Sequence, residues 1–258
     1  MNPSPPTVVV HPGADVLAAA TAARLVTRLV DAVTSQGEAH LVLTGGSMGT
    51  RVLAEVAGSP ARDAVDWHRV HLWWGDERYL PAGHADRNET QARRALLDRL
   101  DLDPARVHPV PASDDEPRED VEAAAARYAE ELRAASRPED PAEVPAFDVV
   151  LLGVGPDGHC ASLFPEHPAV HETQRTVVGV HGAPKPPPTR VSLTFPALDA
   201  AQEVWFVVSG ADKAPAVTMA LSGAGRVQVP AAGPRGRRRT LWLLDRAAAG
   251  GLPGDLAG

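Results

Sequence analysis

Five mainly apolar runs, each of strand length, recur along the 258-residue chain: AHLVLT (Ala39–Thr44), RVHLWW (Arg69–Trp74), FDVVLL (Phe147–Leu152), VWFVVS (Val204–Ser209) and TLWLL (Thr240–Leu244). A strand with one face in water alternates apolar and polar residues, so an unbroken apolar strand is covered on both faces. Helical periodicity fills the intervals: Asp15 to Gln36, ended by Gly37; Met48 to Ala57; Asn88 to Leu100, with Asn88 or Asp86 as its cap; Glu119 to Ala135; and Ala211 to Leu221. Further strand signals lie at Thr7–His11 and Arg190–Phe195. Buried strands alternating with helices predict an α/β fold with a mainly parallel sheet between helical layers. There is no internal repeat, and a single domain over residues 1–258 accommodates the pattern.

Charge and composition narrow the function. The formal net charge is −8, which argues against nucleic acid or an anionic membrane surface as partner. The one strongly basic run, Pro234 to Thr240, reads as a solvated turn. A single cysteine, Cys160, leaves no intramolecular disulfide and no cysteine-rich metal site. None of the histidines makes a metal-ligand spacing with it, so no metal and no cofactor is expected. The N-terminal MNPSPPTVVV lacks the pattern of a signal peptide, and no apolar run reaches bilayer length, so a cytoplasmic location is expected. Lysine occurs only at Lys185 and Lys213 in a chain with 25 basic residues. An ammonium does not substitute freely for a guanidinium, so both positions stand out.

In an open parallel sheet, ligands gather beyond the carboxyl ends of the strands. Four polar motifs are placed there: TGGS, WGDER, GVGPDGH and SGADK. Gly45-Gly46-Ser47-Met48-Gly49 satisfies G-x-S-x-G, the pattern of a nucleophilic serine, and equally a glycine loop that cradles phosphate with backbone N–H groups. The loop follows only the second predicted strand, and the last histidine is His181, which favours phosphate. The order Ser47, Asp76, His159 leaves a triad open.

WGDER sets Asp76, Glu77 and Arg78 at a strand end, where one acid and Arg78 face the cleft unless the triplet is a solvated turn. In GVGPDGH the glycines allow a tight path that presents Asp157 and His159. A histidine there suits proton transfer near neutral pH. Lys185 lies in a stiff proline run before Arg190, a setting equally suited to a scaffold. Lys213 opens a helix, whose N-terminus favours anions, and forms with Ser47 and Arg190 a three-point phosphate clamp.

At LTGGS, WGDER, GVGPDGHCASLFP, PKPPPTRVSLTFPAL, SGADKA and RRTLWLLDRAAA, the sequence resembles the glucosamine-6-phosphate deaminase/6-phosphogluconolactonase family, nearly end to end and in order. Met48-Gly49 departs from the Thr-Pro usual in that family, which bears on where the next helix begins. The resemblance implies a Rossmann-like three-layer α/β/α fold. ASLFP and KPPPTR are similar to the lactonase branch, which implies hydrolysis of 6-phospho-D-glucono-1,5-lactone in the oxidative pentose phosphate pathway. The alternatives are an amino-sugar phosphate isomerase/deaminase and a non-catalytic sugar-phosphate sensor. Carried over residue by residue, the resemblance implies His159 as general base; Asp157, two residues before it in the DGH turn, is the candidate to orient it unless the turn prevents that geometry. It implies Asp76 and Arg78 as the polar wall around the ring, and Ser47, Arg190 and Lys213 as the phosphate contacts of the deaminase branch, while the glycine-loop reading adds Gly45 and Gly46 as substrate and phosphate contacts. Lys185 receives no role. The partner implied is the small sugar-phosphate lactone alone, with the chain as a monomer or small homo-oligomer.

Overall fold

The computed structural model describes residues 5–115 and 120–253. Strands β1 (Thr7–His11), β2 (Ala39–Leu43), β3 (Val70–Trp74), β5 (Val149–Leu152), β8 (Glu203–Val208) and β9 (Arg239–Asp245) form a six-stranded sheet in the order β1-β9-β8-β5-β2-β3. Every pairing in it is parallel. β2, β5 and β8 are buried at every residue, as their unbroken apolar sequences require.

Helix α1 (Ala14–Gln36) turns one stripe inward, from Leu17 through Leu25 and Leu29 to Ala32. It ends where Gly37 adopts φ 83° and its N–H reaches the carbonyl of Val33, the left-handed closure that glycine permits. Helix α2 (Gly46–Gly58) packs on α1. α4 (Val121–Ala135) is capped by Asp120, whose carboxylate accepts the N–H of Ala123 at 2.8 Å. On its far side Tyr128 clamps the end of β3, its hydroxyl accepting from Trp74 N at 2.8 Å and donating to Trp74 O at 3.1 Å. Helices thus flank the sheet, and among the described residues none is long and apolar enough to cross a membrane.

A second sheet lies beyond the first. β4 (Asp76–Arg78), β7 (Arg190–Leu193) and β6 (Val177–Val180) form an antiparallel trio in the order β4-β7-β6. The N–H of Leu193 donates to Gly75 O at 2.9 Å and joins the trio to the end of β3. The sequence marks neither β4 nor β6, because β4 is a charged triplet and β6 only four residues. Arg190 therefore belongs to this small sheet.

Several boundaries differ from expectation. α2 begins at Gly46, not Met48, so Ser47 lies in its first turn. α3 (Asn88–Ala95) stops well short of Leu100, and neither Asn88 nor Asp86 caps it. Its cap is tertiary: Glu77, fully buried on β4, accepts the N–H of Asn88 at 2.7 Å and of Glu89 at 2.8 Å. After the one-turn α5 (Phe195–Leu198) and β8, α6 (Ala214–Leu221) is preceded by a 3₁₀ turn over Ala211–Lys213, which places Lys213 at its N-cap. The expected start of α4 at Glu119 lies outside the described residues. Arg237, Arg238 and Arg239 of the basic run are exposed.

Candidate active site

The loops after β2, β3, β5 and β8 converge on one cleft of about 230 Å³, whose walls include Ser47, Arg78, His159, Lys185, Arg190 and Lys213. Four cationic side chains thus surround one cavity in a chain of net charge −8. Such a cleft selects an anionic ligand.

Gly45, Gly46 and Ser47 line one wall, where α2 starts. Met48-Gly49 does not delay the helix: a Cβ at residue 49 would overlap the carbonyl oxygen of Thr44, so glycine lets α2 lie close against the end of β2. Ser47 is exposed. The unsatisfied N–H groups of the first helical turn accompany its hydroxyl.

The strand period of two sorts the WGDER side chains. Asp76 and Arg78 both line the cleft, while Glu77 between them turns away to cap α3. Asp76 is buried, and its Oδ2 accepts the hydroxyl of Ser162 at 2.6 Å. Its backbone carbonyl accepts from Asn88 Nδ2 at 2.8 Å. Arg78 donates from Nη1 to the carbonyl of Asp86 at 2.6 Å. Arg78 Nε and Asn88 Oδ1 are buried without a protein partner. A buried polar group left so is costly.

His159 stands on the opposite wall, with its Nδ1 2.5 Å from Asp157 Oδ1. The glycine loop makes this possible. Gly155 N donates to His159 O and Gly158 N to Gly155 O, each at 2.9 Å. A Cβ at residue 155 would overlap both His159 Nδ1 and Asp157 Oδ1. Phe164 packs on the imidazole with ring centroids 4.6 Å apart. Burial opposes the charge of Asp157, but the hydrogen bond and charge of His159 and the charge of Lys185 outweigh it and hold the carboxyl below the usual carboxylate range. With Asp157 accepting at Nδ1, the lone pair of neutral His159 resides on Nε2.

The triad order left open by the sequence is not assembled. Asp157, not Asp76, partners His159, and among the described residues no side chain lies within hydrogen-bond distance of the Ser47 hydroxyl.

Lys185 is brought in as well, its Nζ 3.3 Å from Asp157 Oδ1 and 3.4 Å from His159 Nδ1. Its rarity in the chain was the available signal. Asn88 and Ser162 gave none, the first resembling a helix cap and the second an ordinary small residue. Arg190 is buried and lines the cleft, yet most of its donors serve the proline run: Nη2 reaches Lys185 O at 2.8 Å and Pro186 O at 3.2 Å, and Nε reaches Pro187 O at 3.1 Å. Only Nη1, 3.5 Å from Ser162 Oγ, remains directed to other partners. Lys213 Nζ pairs with Asp212 at 2.8 Å.

At the other end of the same strands lies a cluster the sequence did not announce, although β2–β3 pairing sets His40 opposite His71. Glu38, His40 and His71 bring ligand atoms within 4.8 Å of one another. Their hydrogen bonds describe a different arrangement. Trp73 Nε1 donates to His40 Nδ1 at 3.3 Å, and Arg106 donates to His71 Nε2 at 3.0 Å. His71 Nδ1 then meets His108 Nε2 at 3.0 Å, and His108 Nδ1 meets Glu131 at 2.7 Å. Arg137 and Arg106 occupy the Glu38 carboxylate. An arginine can only donate, so the chain runs Arg106, His71, His108, Glu131 through neutral imidazoles, and the His71 lone pair faces a guanidinium, not a cation site.

Comparison with known proteins identifies the family. The sequence model of the glucosamine-6-phosphate isomerases/6-phosphogluconolactonase family matches residues 12–242. The chain is 64% identical to a 6-phosphogluconolactonase of Streptomyces coelicolor, over 97% of this chain and 96% of that protein. It is 50% identical to a 6-phosphogluconolactonase of Mycobacterium tuberculosis, over 95% of this chain and 98% of that protein. The solved structure of 6-phosphogluconolactonase from Trypanosoma brucei superposes with a TM-score of 0.83 at 31% identity, covering 96% of this chain and 99% of that one. A cationic cleft at the carboxyl ends of a parallel sheet, with an Asp-His pair on its wall, is thus carried by a chain that belongs to the glucosamine-6-phosphate isomerase/6-phosphogluconolactonase family.

Proposed function

We propose that the protein hydrolyses 6-phospho-D-glucono-1,5-lactone to 6-phosphogluconate, the second step of the oxidative pentose phosphate pathway. The observation that carries the reading is the Asp157–His159 pair on the wall of a cleft ringed by Arg78, Lys185, Arg190 and Lys213. The names of the relatives above point the same way. The reading places the protein in the cytoplasm, acting on a small sugar phosphate as a monomer or small homo-oligomer, with no nucleic acid, membrane or cofactor.

The chemistry follows from the residues. Asp157 fixes the Nδ1–H tautomer of His159, and Nε2 accepts a proton from the water that attacks C1. The carbonyl oxygen becomes negative as the tetrahedral intermediate forms. The guanidinium of Arg78, which lines the cleft, is suited to stabilise it. As the intermediate collapses, the C1–ring oxygen bond breaks and the imidazolium returns its proton to that oxygen. One water is consumed and the open hydroxy acid leaves. Ser47, the first N–H groups of α2 and Lys213 hold the 6-phosphate, so binding far from C1 orients the ring. A δ-lactone is a reactive ester, and water attack needs no covalent serine step.

The test is a coupled assay. Freshly made phosphogluconolactone is followed to phosphogluconate against its spontaneous hydrolysis, with ammonia release from glucosamine 6-phosphate measured in parallel. The reading expects lactone turnover well above background and no ammonia. Ammonia release without lactone turnover places the protein in the deaminase branch, and neither activity returns it to a sensor.

A further inference from the structure

Only two of the 25 basic residues are lysines, and both line the cleft. One of them, Lys185, reaches the atoms of the Asp157–His159 pair. Its Nζ lies 3.3 Å from Asp157 Oδ1, the oxygen that also receives His159 Nδ1. It lies 3.4 Å from His159 Nδ1 itself. An ammonium has no lone pair, and an Nδ1–H already given to Asp157 has none to offer. The lysine therefore shares the carboxylate and sets a positive charge beside the imidazole.

That charge bears on the histidine's proton. A lone carboxylate against an imidazole favours the imidazolium, and a general base must begin neutral. We propose that Lys185 is a positioning residue: it divides the charge of Asp157 with His159, so that Asp157 fixes the imidazole tautomer without holding the imidazole protonated.

The local construction supports the assignment. Arg190, buried beneath the loop, holds the main-chain carbonyls of residues 185, 186 and 187, and Ala183 N closes the loop onto Pro188 O at 2.9 Å. A flexible side chain is thus carried on a fixed backbone. Among the described residues no other cation pairs with Asp157, and Asp212 is the further carboxylate that feels the Lys185 charge. Phe164 covers the ring, and Arg190 lies beyond it, 5.5 Å from the Phe164 centroid. Arg78, Asp76 and Lys213 stand on the other walls of the cleft. A lysine suits the position because a compact ammonium meets one carboxylate oxygen, whereas the guanidinium fork engages both.

The inference rests on His159 acting as the base, and the experiment keeps the two claims apart. The imidazole of His159 is titrated by NMR in the substrate-free protein, in wild type, Lys185→Met, Lys185→Arg and Asp157→Asn. The kcat/KM of lactone hydrolysis is then measured against pH in the same proteins. Removing a cation this close is expected to raise the imidazole titration midpoint by about one pH unit in Lys185→Met. The acid limb of kcat/KM should move with it. Lys185→Arg keeps the charge and should stay near wild type in midpoint even where kcat falls, and Asp157→Asn should move the midpoint down. An unmoved midpoint in folded Lys185→Met overturns the proposal, as does an equal shift in Lys185→Arg. Weaker binding of 6-phosphogluconate with no change in midpoint also overturns it, making Lys185 a substrate contact. Midpoints that move as expected in a protein without lactone turnover uphold the charge-sharing and overturn the functional reading instead.

Discussion

The guanidinium of Arg190 donates to the main-chain carbonyl of Lys185 at 2.8 Å, and the cleft wall that carries Lys185 is built on that contact. Arg190 was expected from sequence to bind phosphate. Its position gives it a larger duty, since Nε and Nη2 are committed to three consecutive loop carbonyls.

Arg190→Ala should therefore lower kcat/KM on both the phosphorylated lactone and the unphosphorylated gluconolactone, by about one to three orders of magnitude. It should also cost stability, about 2 kcal/mol for lost hydrogen bonds to a charged group. Arg190→Lys should not restore either, because an ammonium cannot span the three carbonyls. Parallel kinetics on the two lactones and a urea titration check this. A loss confined to the phosphorylated substrate would make Arg190 a phosphate ligand alone.

Lys213 and Ser47 should behave differently. Lys213 stands at the N-cap of α6, with Asp212 as its one ion-pair partner among the described residues, and Ser47 lies in the first turn of α2. Lys213→Ala should weaken phosphorylated ligands by about 10- to 100-fold, corresponding to about 1.5–3 kcal/mol for a charged hydrogen bond. Gluconolactone turnover should barely change, and Lys213→Arg should recover only part of the loss. Ser47→Ala should raise KM more than it lowers kcat, and a fluorophosphonate should leave Ser47 unlabelled. Stoichiometric labelling would revive the serine as nucleophile.

The histidine chain at the far end of the sheet makes stability depend on pH. Burial, reinforced by the neighbouring His71, lowers His40 to about 3, and burial with the charge of Arg106 lowers His71 to about 4. Both start from 6.5 in the unfolded chain. Between these values and 6.5 the unfolded chain binds protons that the folded protein refuses, so stability falls as pH falls through this window and is fully present above it. Urea midpoints measured from pH 7.5 down to pH 4.5 should drop progressively below about pH 6.5. The drop should be shallower in a His40→Gln, His71→Asn protein. Equal slopes in the two proteins would assign the acid sensitivity to other groups.

What the sequence disclosed, and what it hid, divides by the range of the interaction. Strands β2, β3, β5, β8 and β9 were visible because burial on both faces writes an unbroken apolar run. The end of α1 was visible because Gly37 is a local closure. The cap of α3 was not, because Glu77 reaches Asn88 and Glu89 from another element. Of the second sheet only β7 was visible, because charged β4 has no hydrophobic signature and β6 is only four residues long. At the site, Asp157 and His159 are two residues apart, so their pairing was within reach of the sequence. Lys185 meets them only because the proline run folds back over Arg190, and Asn88 reaches Asp76 only because α3 packs on the small sheet. The histidine cluster needed the β2–β3 register before His40 and His71 became neighbours.

The central claim is that His159, oriented by Asp157, is the base that delivers water to the lactone. The most direct test is kcat for 6-phospho-D-glucono-1,5-lactone in His159→Ala, measured above the spontaneous rate in protein shown to be folded and still able to bind 6-phosphogluconate. The account predicts a fall of about two to four orders of magnitude, with product affinity retained. Turnover close to that of the wild type would contradict it and remove His159 from the reaction.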